Sequence, residues 1–281
     1  MRASKIAILF MALIVFVSRN SGAAELKIAV IGGLDMSGFW PEMEQIAAQA
    51  IGHELRTVLA APKERVVPAF VRGEVDVLLM HGGDEAFALE ALGYAAPLRT
   101  WAYNEFVIVG PDTDSAQIAT ASDGVDAMRK LQAAGAPLIS FRDIASQQII
   151  RRLLDSAGLY PRDINLINDR AGHQREILEQ AAQDQAYVIV GHMPVAFGRI
   201  PGEGTRILLQ GDPAMRRGYV VLIPGSKHPA NEEIRARAQE LSEFLVSDVG
   251  QSAISSIGMD EQQWLLPKDS GYSLLPLDTH P

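Results

Sequence analysis

The stretch Val75-Asp76-Val77-Leu78-Leu79-Met80-His81-Gly82-Gly83-Asp84-Glu85-Ala86-Phe87 decides the fold. Residues 75–80 are apolar at every position but Asp76, which is the pattern of a strand covered on both faces. The run stops at His81-Gly82-Gly83, and Asp84 follows with a side chain suited to capping a helix over 85–92. A buried strand that turns directly into a helix is the repeating unit of an α/β sheet with largely parallel strands.

The same unit recurs on either side. Upstream, 27–31 reads as a strand ending at Gly32-Gly33, and Ser37-Gly38 leads into a helix over about 39–55. Pro41 falls in its first turn, where a missing N–H costs little. A strand over 56–61 and a helix over 63–72, with Pro68 inside it, complete the approach. Downstream, 106–111 is a strong strand, and beyond it a second series begins. It reads as helix 122–134, strand 138–141, helix 146–157, strand 165–167, helix 172–184 and strand 187–190. Strands over 207–209 and 219–223 flank Gly211-Asp212-Pro213, and helices over 231–246 and 251–257 precede a tail of about a dozen residues. Two α/β series predict two lobes with a cleft between them. Ligands in such sheets sit at the carboxyl ends of strands, so the turns 32–38, 81–84, 140–146, 168–173 and 191–194 are the ones that matter.

Composition narrows the function. The 281 residues contain no cysteine, which excludes disulfide scaffolds, thiolate metal centres and cysteine nucleophiles. The formal charge of −9 argues against a nucleic-acid partner. At the start, Arg2 and Lys5 precede an apolar run over 6–17, and the small residues Ser21-Gly22-Ala23-Ala24 follow. This is the layout of a cleavable signal peptide over 1–24, too short in its apolar part for a comfortable span of about 20 residues. Without cysteine near the cleavage point there is no lipid anchor, so the expected product is a free periplasmic protein. Losing Arg2, Lys5 and Arg19 leaves 22 Lys+Arg against 34 Asp+Glu, so a bound anion must be held by local donors.

Several segments resemble the periplasmic tungstate-binding proteins of ABC importers. They are 75–81 with Glu85-Ala86-Phe87, then Tyr103-Asn104-Glu105-Phe106-Val107-Ile108-Val109-Gly110-Pro111, Gly211-Asp212-Pro213, His228-Pro229, and Ser247-Asp248-Val249-Gly250-Gln251. The resemblance implies a type II periplasmic-binding-protein fold, with lobe one over 25–111 plus 213–281 and lobe two over 112–212. The ligand loops diverge. The family's first loop, rich in Thr and Ser, reads here Ile31-Gly32-Gly33-Leu34-Asp35-Met36-Ser37-Gly38. The family's Ser-Arg-Gly-Asp-x-Ser-Gly-Thr loop reads Ser140-Phe141-Arg142-Asp143-Ile144-Ala145-Ser146, and its third block has become Tyr187-Val188-Ile189-Val190-Gly191-His192.

A tetrahedral anion needs several hydrogen-bond donors. Gly32, Gly33 and Gly38 would let backbone amides approach, while Ser37, Ser140 and Ser146 would add hydroxyls. Turn-forming glycines and helix-capping serines are the structural alternative for the same residues. Arg142 and Arg170 offer forks that grip a carboxylate or phosphate, with a solvated surface charge as the alternative for each, and His192 ends a strand, a place that suits either the cleft or a structural, hydrogen-bonded role. The histidines show no metal spacing, and no cofactor is expected. There is no Gly-x-Ser-x-Gly elbow, no Gly-x-x-x-x-Gly-Lys and no His-Glu-x-x-His, which argues against an enzyme. The expected function is therefore a monomeric solute-binding protein that delivers a small anion, tungstate or molybdate by resemblance, to an ABC permease in the inner membrane. The alternative is a regulatory or interaction protein on the same scaffold with a changed pocket.

Overall fold

In the computed structural model residues 77–80 are fully buried, and their side chains alternate between two cores as the pleat of a strand requires. Val77 and Leu79 join Phe39, Trp40 and Met43 on one side, whereas Leu78 and Met80 join Val66 and Phe70 on the other. The structure describes residues 25–196, 202–259, 262–263 and 265–270. The expected signal segment and residues 271–281 of the expected tail lie outside the described residues.

The first lobe runs β1 (Leu26–Ile31), α1 (Gly32–Met36), α2 (Phe39–Ile51), β2 (Leu55–Ala61), α3 (Lys63–Val71), β3 (Val77–His81) and α4 (Asp84–Ala91). β1 lies between β2 and β3 and is parallel to both. The long strand β4 (Arg99–Pro111) then crosses from one lobe to the other. In the second lobe come α5 (Gly124–Ala134), β5 (Leu138–Ser140), α6 (Ile144–Ala157), β6 (Leu166–Asn168), α7 (Ile177–Asp184), β7 (Val188–Gly191), α8 (His192–Ala196) and β8 (Thr205–Leu209). The chain returns through β9 (Arg216–Leu222), α9 (Glu232–Val246) and α10 (Asp248–Ser256), and closes with β10 (Gly258–Met259), β11 (Gln262–Gln263) and β12 (Leu266–Pro267).

β4 holds the two lobes together because each half of it belongs to a different sheet. Residues 99–105 pair antiparallel with β9, and residues 106–111 pair antiparallel with β7 and β8. Phe106 and Ile108 enter a core with Met128, Leu131 and Leu153, while Val107 and Val109 enter another with Ile177 and Leu178. The change of pairing partner falls between Glu105 and Phe106. The return segment is tied at several points. Glu105 accepts the Gly211 N–H at 2.7 Å, Asp212 accepts the Gly124 N–H at 2.7 Å, and Arg152 donates to the carbonyls of Ala214 and Arg216 at 2.9 and 3.2 Å.

The sheet is mixed rather than largely parallel, because β4 and β9 run against their neighbours. Other departures are local. α2 stops at Ile51, where Gly52 takes a left-handed conformation with φ of 69° that a helix cannot continue. Asp84 is the first helical residue of α4, not its cap; Gly83 holds the cap position without a side-chain bond. α6 begins at Ile144, since Asp143 caps it by accepting the Ser146 N–H. A 3-10 turn over Gln174–Glu176 replaces the start of the helix expected from Gly172. Among the described residues no helix is long and apolar enough to cross a membrane.

Candidate functional site

Parallel pairing of β1 with β3 puts Gly32 and His81 at the same sheet edge, and β9 enters that edge from the opposite direction. Tyr219 of β9 pairs with His81, and Arg217 pairs with Asn104 of β4. Opposed residues share a face, as do residues two apart in a strand. Asn104, Arg217, Tyr219 and His81 therefore form a polar row on one face of the sheet. The His81 and Tyr219 rings stack, with centroids 4.2 Å apart.

The row is short of partners. His81 Nδ1 and Asn104 Oδ1 are buried with no hydrogen-bond partner among the described residues. The guanidinium of Arg217 is half-buried and makes no ion pair or hydrogen bond with the described residues. Buried polar groups are nearly always satisfied, so two buried atoms beside a half-buried guanidinium on one face call for an explanation such as a bound ion or water.

Local charge favours an anion. A Cβ added at Gly83 would lie 3.8 Å from Nη2 of Arg217, so the cation stands at the amino end of α4, itself partially positive. Burial first, and then the charges of Arg217 and Lys63, hold the His81 imidazole well below its usual range, so it is neutral. Burial pushes the Tyr219 phenol up, which keeps its proton available for donation. Burial also lowers the pKa of Arg217, against the opposing influence of Asp143, Tyr219 and Glu85, while Arg152 adds like charge. The guanidinium stays charged all the same. Of these acids, Glu85 is held by Lys63 at 2.9 Å, leaving Asp143 as the carboxylate without a cation of its own.

Several of the residues singled out in the sequence are engaged within the protein. Gly32 and Gly33 open α1, and Gly38 takes φ of 83° between α1 and α2. Ser37 Oγ donates to the Leu34 carbonyl at 2.9 Å and accepts the Phe39 N–H at 3.2 Å. Ser140 ends β5 beside Asn168 of β6, and Ser146 is buried with its hydroxyl donated to Asp143 at 3.0 Å. Arg142 grips Asp169 through two bonds of 2.7 and 2.8 Å and also reaches the Ala171 carbonyl, so it joins the loops after β5 and β6. Arg170 turns away to both carboxylate oxygens of Asp184, at 2.6 and 2.7 Å. His192 opens α8 and is buried; the next residue, Met193, packs into the first lobe's core with Trp101 and Tyr219. Among the described residues no cluster of three or more His, Asp or Glu side chains is placed to hold a metal ion.

Arg217 escaped the sequence reading because the strand was begun at Tyr219. The available signal was the pair Arg216-Arg217 opening an apolar strand, with Arg217 in phase with an inward tyrosine. The Arg142–Asp169 pair has a testable consequence of its own. Its hydrogen bonds hold the Asp169 carboxyl below the usual carboxylate range. The folded-state value thus lies below the unfolded one, and the stabilisation is present at neutral pH and lost as pH falls through the folded value. Asp169→Asn should lower stability at neutral pH and flatten the acid limb of a stability profile from chemical denaturation. An acid limb identical to that of the parent contradicts this assignment.

Two α/β lobes joined by an antiparallel crossing strand, with strand ends converging on a cleft, define the type II periplasmic-binding-protein fold. Solved structures agree. The tungstate-binding protein TupA from Desulfovibrio alaskensis G20 superposes with a TM-score of 0.75 at 20% identity, covering 87% of this chain and 99% of that one. The tungstate ABC transporter structure from Geobacter sulfurreducens gives a TM-score of 0.65 at 23% identity, covering 83% and 98%. A curated relative from Haloferax volcanii, provisionally described as an ABC transporter anion-binding protein, is 24% identical over 256 residues, 89% of this chain and 74% of its own. No protein-family model matches the chain. The similar proteins are binding components of transporters rather than enzymes.

Proposed function

We propose that this protein is an exported, monomeric solute-binding protein that captures a small anion between its lobes and presents it to an ABC permease in the inner membrane. The observation that carries this reading is the unpartnered row Asn104, Arg217 and His81 at the sheet edge facing the second lobe. Arg217 supplies a fixed positive charge where water is partly excluded, and the Tyr219 hydroxyl adds a neutral donor. The first loop, Gly32, Gly33, Ser37 and Gly38, follows β1 at the same edge, and in this reading Ser140, Ser146 and His192 of the second lobe complete the site. In this reading the signal segment 1–24 directs export, residues 112–212 form the second lobe, and 25–111 with 213–281 form the first. The similarity to tungstate- and anion-binding proteins supports an oxyanion or a related anion as cargo.

The test is thermal unfolding of residues 25–281 in tungstate, molybdate, sulfate, phosphate and small carboxylates. A ligand at about a hundredfold excess over its dissociation constant adds about 2.7 kcal/mol. A concentration-dependent rise in Tm with at least one anion is expected. No rise with any of them would contradict capture and favour an interaction protein on the same scaffold.

A further inference from the structure

The lobes join beside two neighbouring rungs of one ladder. Asn104 of β4 pairs with Arg217 of β9, and one residue further on Glu105 pairs with Arg216, the last rung before β4 takes new partners in β7 and β8. Side chains alternate along a strand, so Asn104 and Arg217 face the candidate site while Glu105 and Arg216 face the other side of the same sheet. The peptides that carry the polar row are thus the ones next to the crossing between lobes.

Glu105 and Arg216 both hold Gly211, in the segment that returns from the second lobe. Oε1 of Glu105 accepts the Gly211 N–H at 2.7 Å, and Nη2 of Arg216 donates to the Gly211 carbonyl at 3.1 Å. The side chains of Glu105 and Arg216 are only 14% and 12% exposed, so water competes little for these bonds. Gly211 itself takes φ of 90°, and nothing lies within 4 Å of a Cβ added there, so its backbone has both the freedom and the space to turn. The two side chains do not complete a pair with each other. Nε of Arg216 is buried with no partner among the described residues and stands 3.8 Å from Glu105 Oε1, too far for a hydrogen bond. That gap leaves slack for a small rotation about a residue otherwise held at both its polar groups.

Resting on the solute-receptor reading, we infer that Glu105 and Arg216 are positioning residues: by clamping Gly211 they set the resting angle between the lobes, and with it anion affinity, from the face of the sheet that the anion does not touch. Hinges are a few residues at element ends that absorb the change in backbone angle, and apparent affinity scales with the fraction of molecules competent to bind. Releasing Gly211 spreads the lobes over more arrangements, lowers that fraction and weakens binding.

The chain has no cysteine, so spin labels can be placed without background through Gln49→Cys on α2 and Gln132→Cys on α5, exposed positions in different lobes. Double electron–electron resonance on labelled residues 25–281 without anion should give one narrow distance distribution for the parent. Glu105→Ala and Arg216→Ala should each broaden it at least about twofold, because each frees one polar group of the pivot. Glu105→Gln, whose amide oxygen still accepts the Gly211 N–H, should keep the parent's width. Calorimetric titration with tungstate, molybdate, sulfate, phosphate and acetate should show Glu105→Ala at least about threefold weaker for the anion that the parent binds most tightly. A Glu105→Ala distribution as narrow as the parent's would overturn the inference, even with a lower denaturation midpoint, since that combination marks a merely structural bond. A broadened distribution with parental affinity would overturn it as well. If the parent binds none of these anions, the receptor reading fails, while the distances still decide whether Glu105 and Arg216 set the lobe angle.

Discussion

Arg217→Ala should lose at least about a hundredfold in affinity for whichever anion the protein binds, with no loss of stability when no ligand is present. The first half follows from removing the one fixed charge of the row: truncating one side of a desolvated, hydrogen-bonded charge pair costs about 2–5 kcal/mol, and about 1.4 kcal/mol is a factor of ten. The second half follows because, among the described residues, Arg217 makes no ion pair or hydrogen bond that the substitution would break. A structural arginine would behave in the opposite way, with stability falling when it is truncated. Titration calorimetry alongside chemical denaturation separates the two. Affinity within threefold of the parent would show that the anion is held elsewhere.

Gly250→Ala should destabilise the fold by about 3 kcal/mol or more, at the upper end of what overpacking costs. A Cβ at Gly250 would sit 2.1 Å from the Phe244 carbonyl oxygen and 3.0 Å from its carbon. These are backbone atoms at the end of α9, and they cannot swing aside. The same carbonyl accepts the Ser247 N–H at 3.0 Å and the Ser247 hydroxyl at 2.7 Å, which fixes the junction between α9 and α10. The damage would reach the crossing strand, because Gln251 Nε2 donates to the Trp101 carbonyl of β4 at 2.9 Å. The midpoint of denaturant unfolding measures the effect, and a loss under about 1 kcal/mol would contradict the packing described.

Much of the scaffold was legible because it follows from local pattern. The apolar run ending at His81 reads as a doubly covered strand, and it packs between Trp40 and Phe70. Pairing direction was not legible, because β9 meets β3 and β4 through contacts more than a hundred residues apart in the chain. Strand ends pointed to Gly32, His81, Ser140 and His192, and charge pointed to Arg142 and Arg170, whose carboxylate partners the sequence does not reveal. Arg142 finds its carboxylate 27 residues away and Arg170 finds its own 14 residues away, and neither pairing shows in spacing. Arg217 has the opposite character, a cation without a partner among the described residues, and only strand register reveals that it stands beside His81 and Tyr219.

The most direct test of the central claim, that the cleft seats an anion on Arg217, is to locate the anion. Crystals of residues 25–281 soaked in arsenate, which is partly protonated near neutral pH, would show it by the anomalous signal of arsenic. The account predicts a peak within hydrogen-bond distance of the Arg217 guanidinium, on the face shared by His81 and Tyr219. A peak at Arg142 or Arg170, or no peak in the cleft, would contradict it.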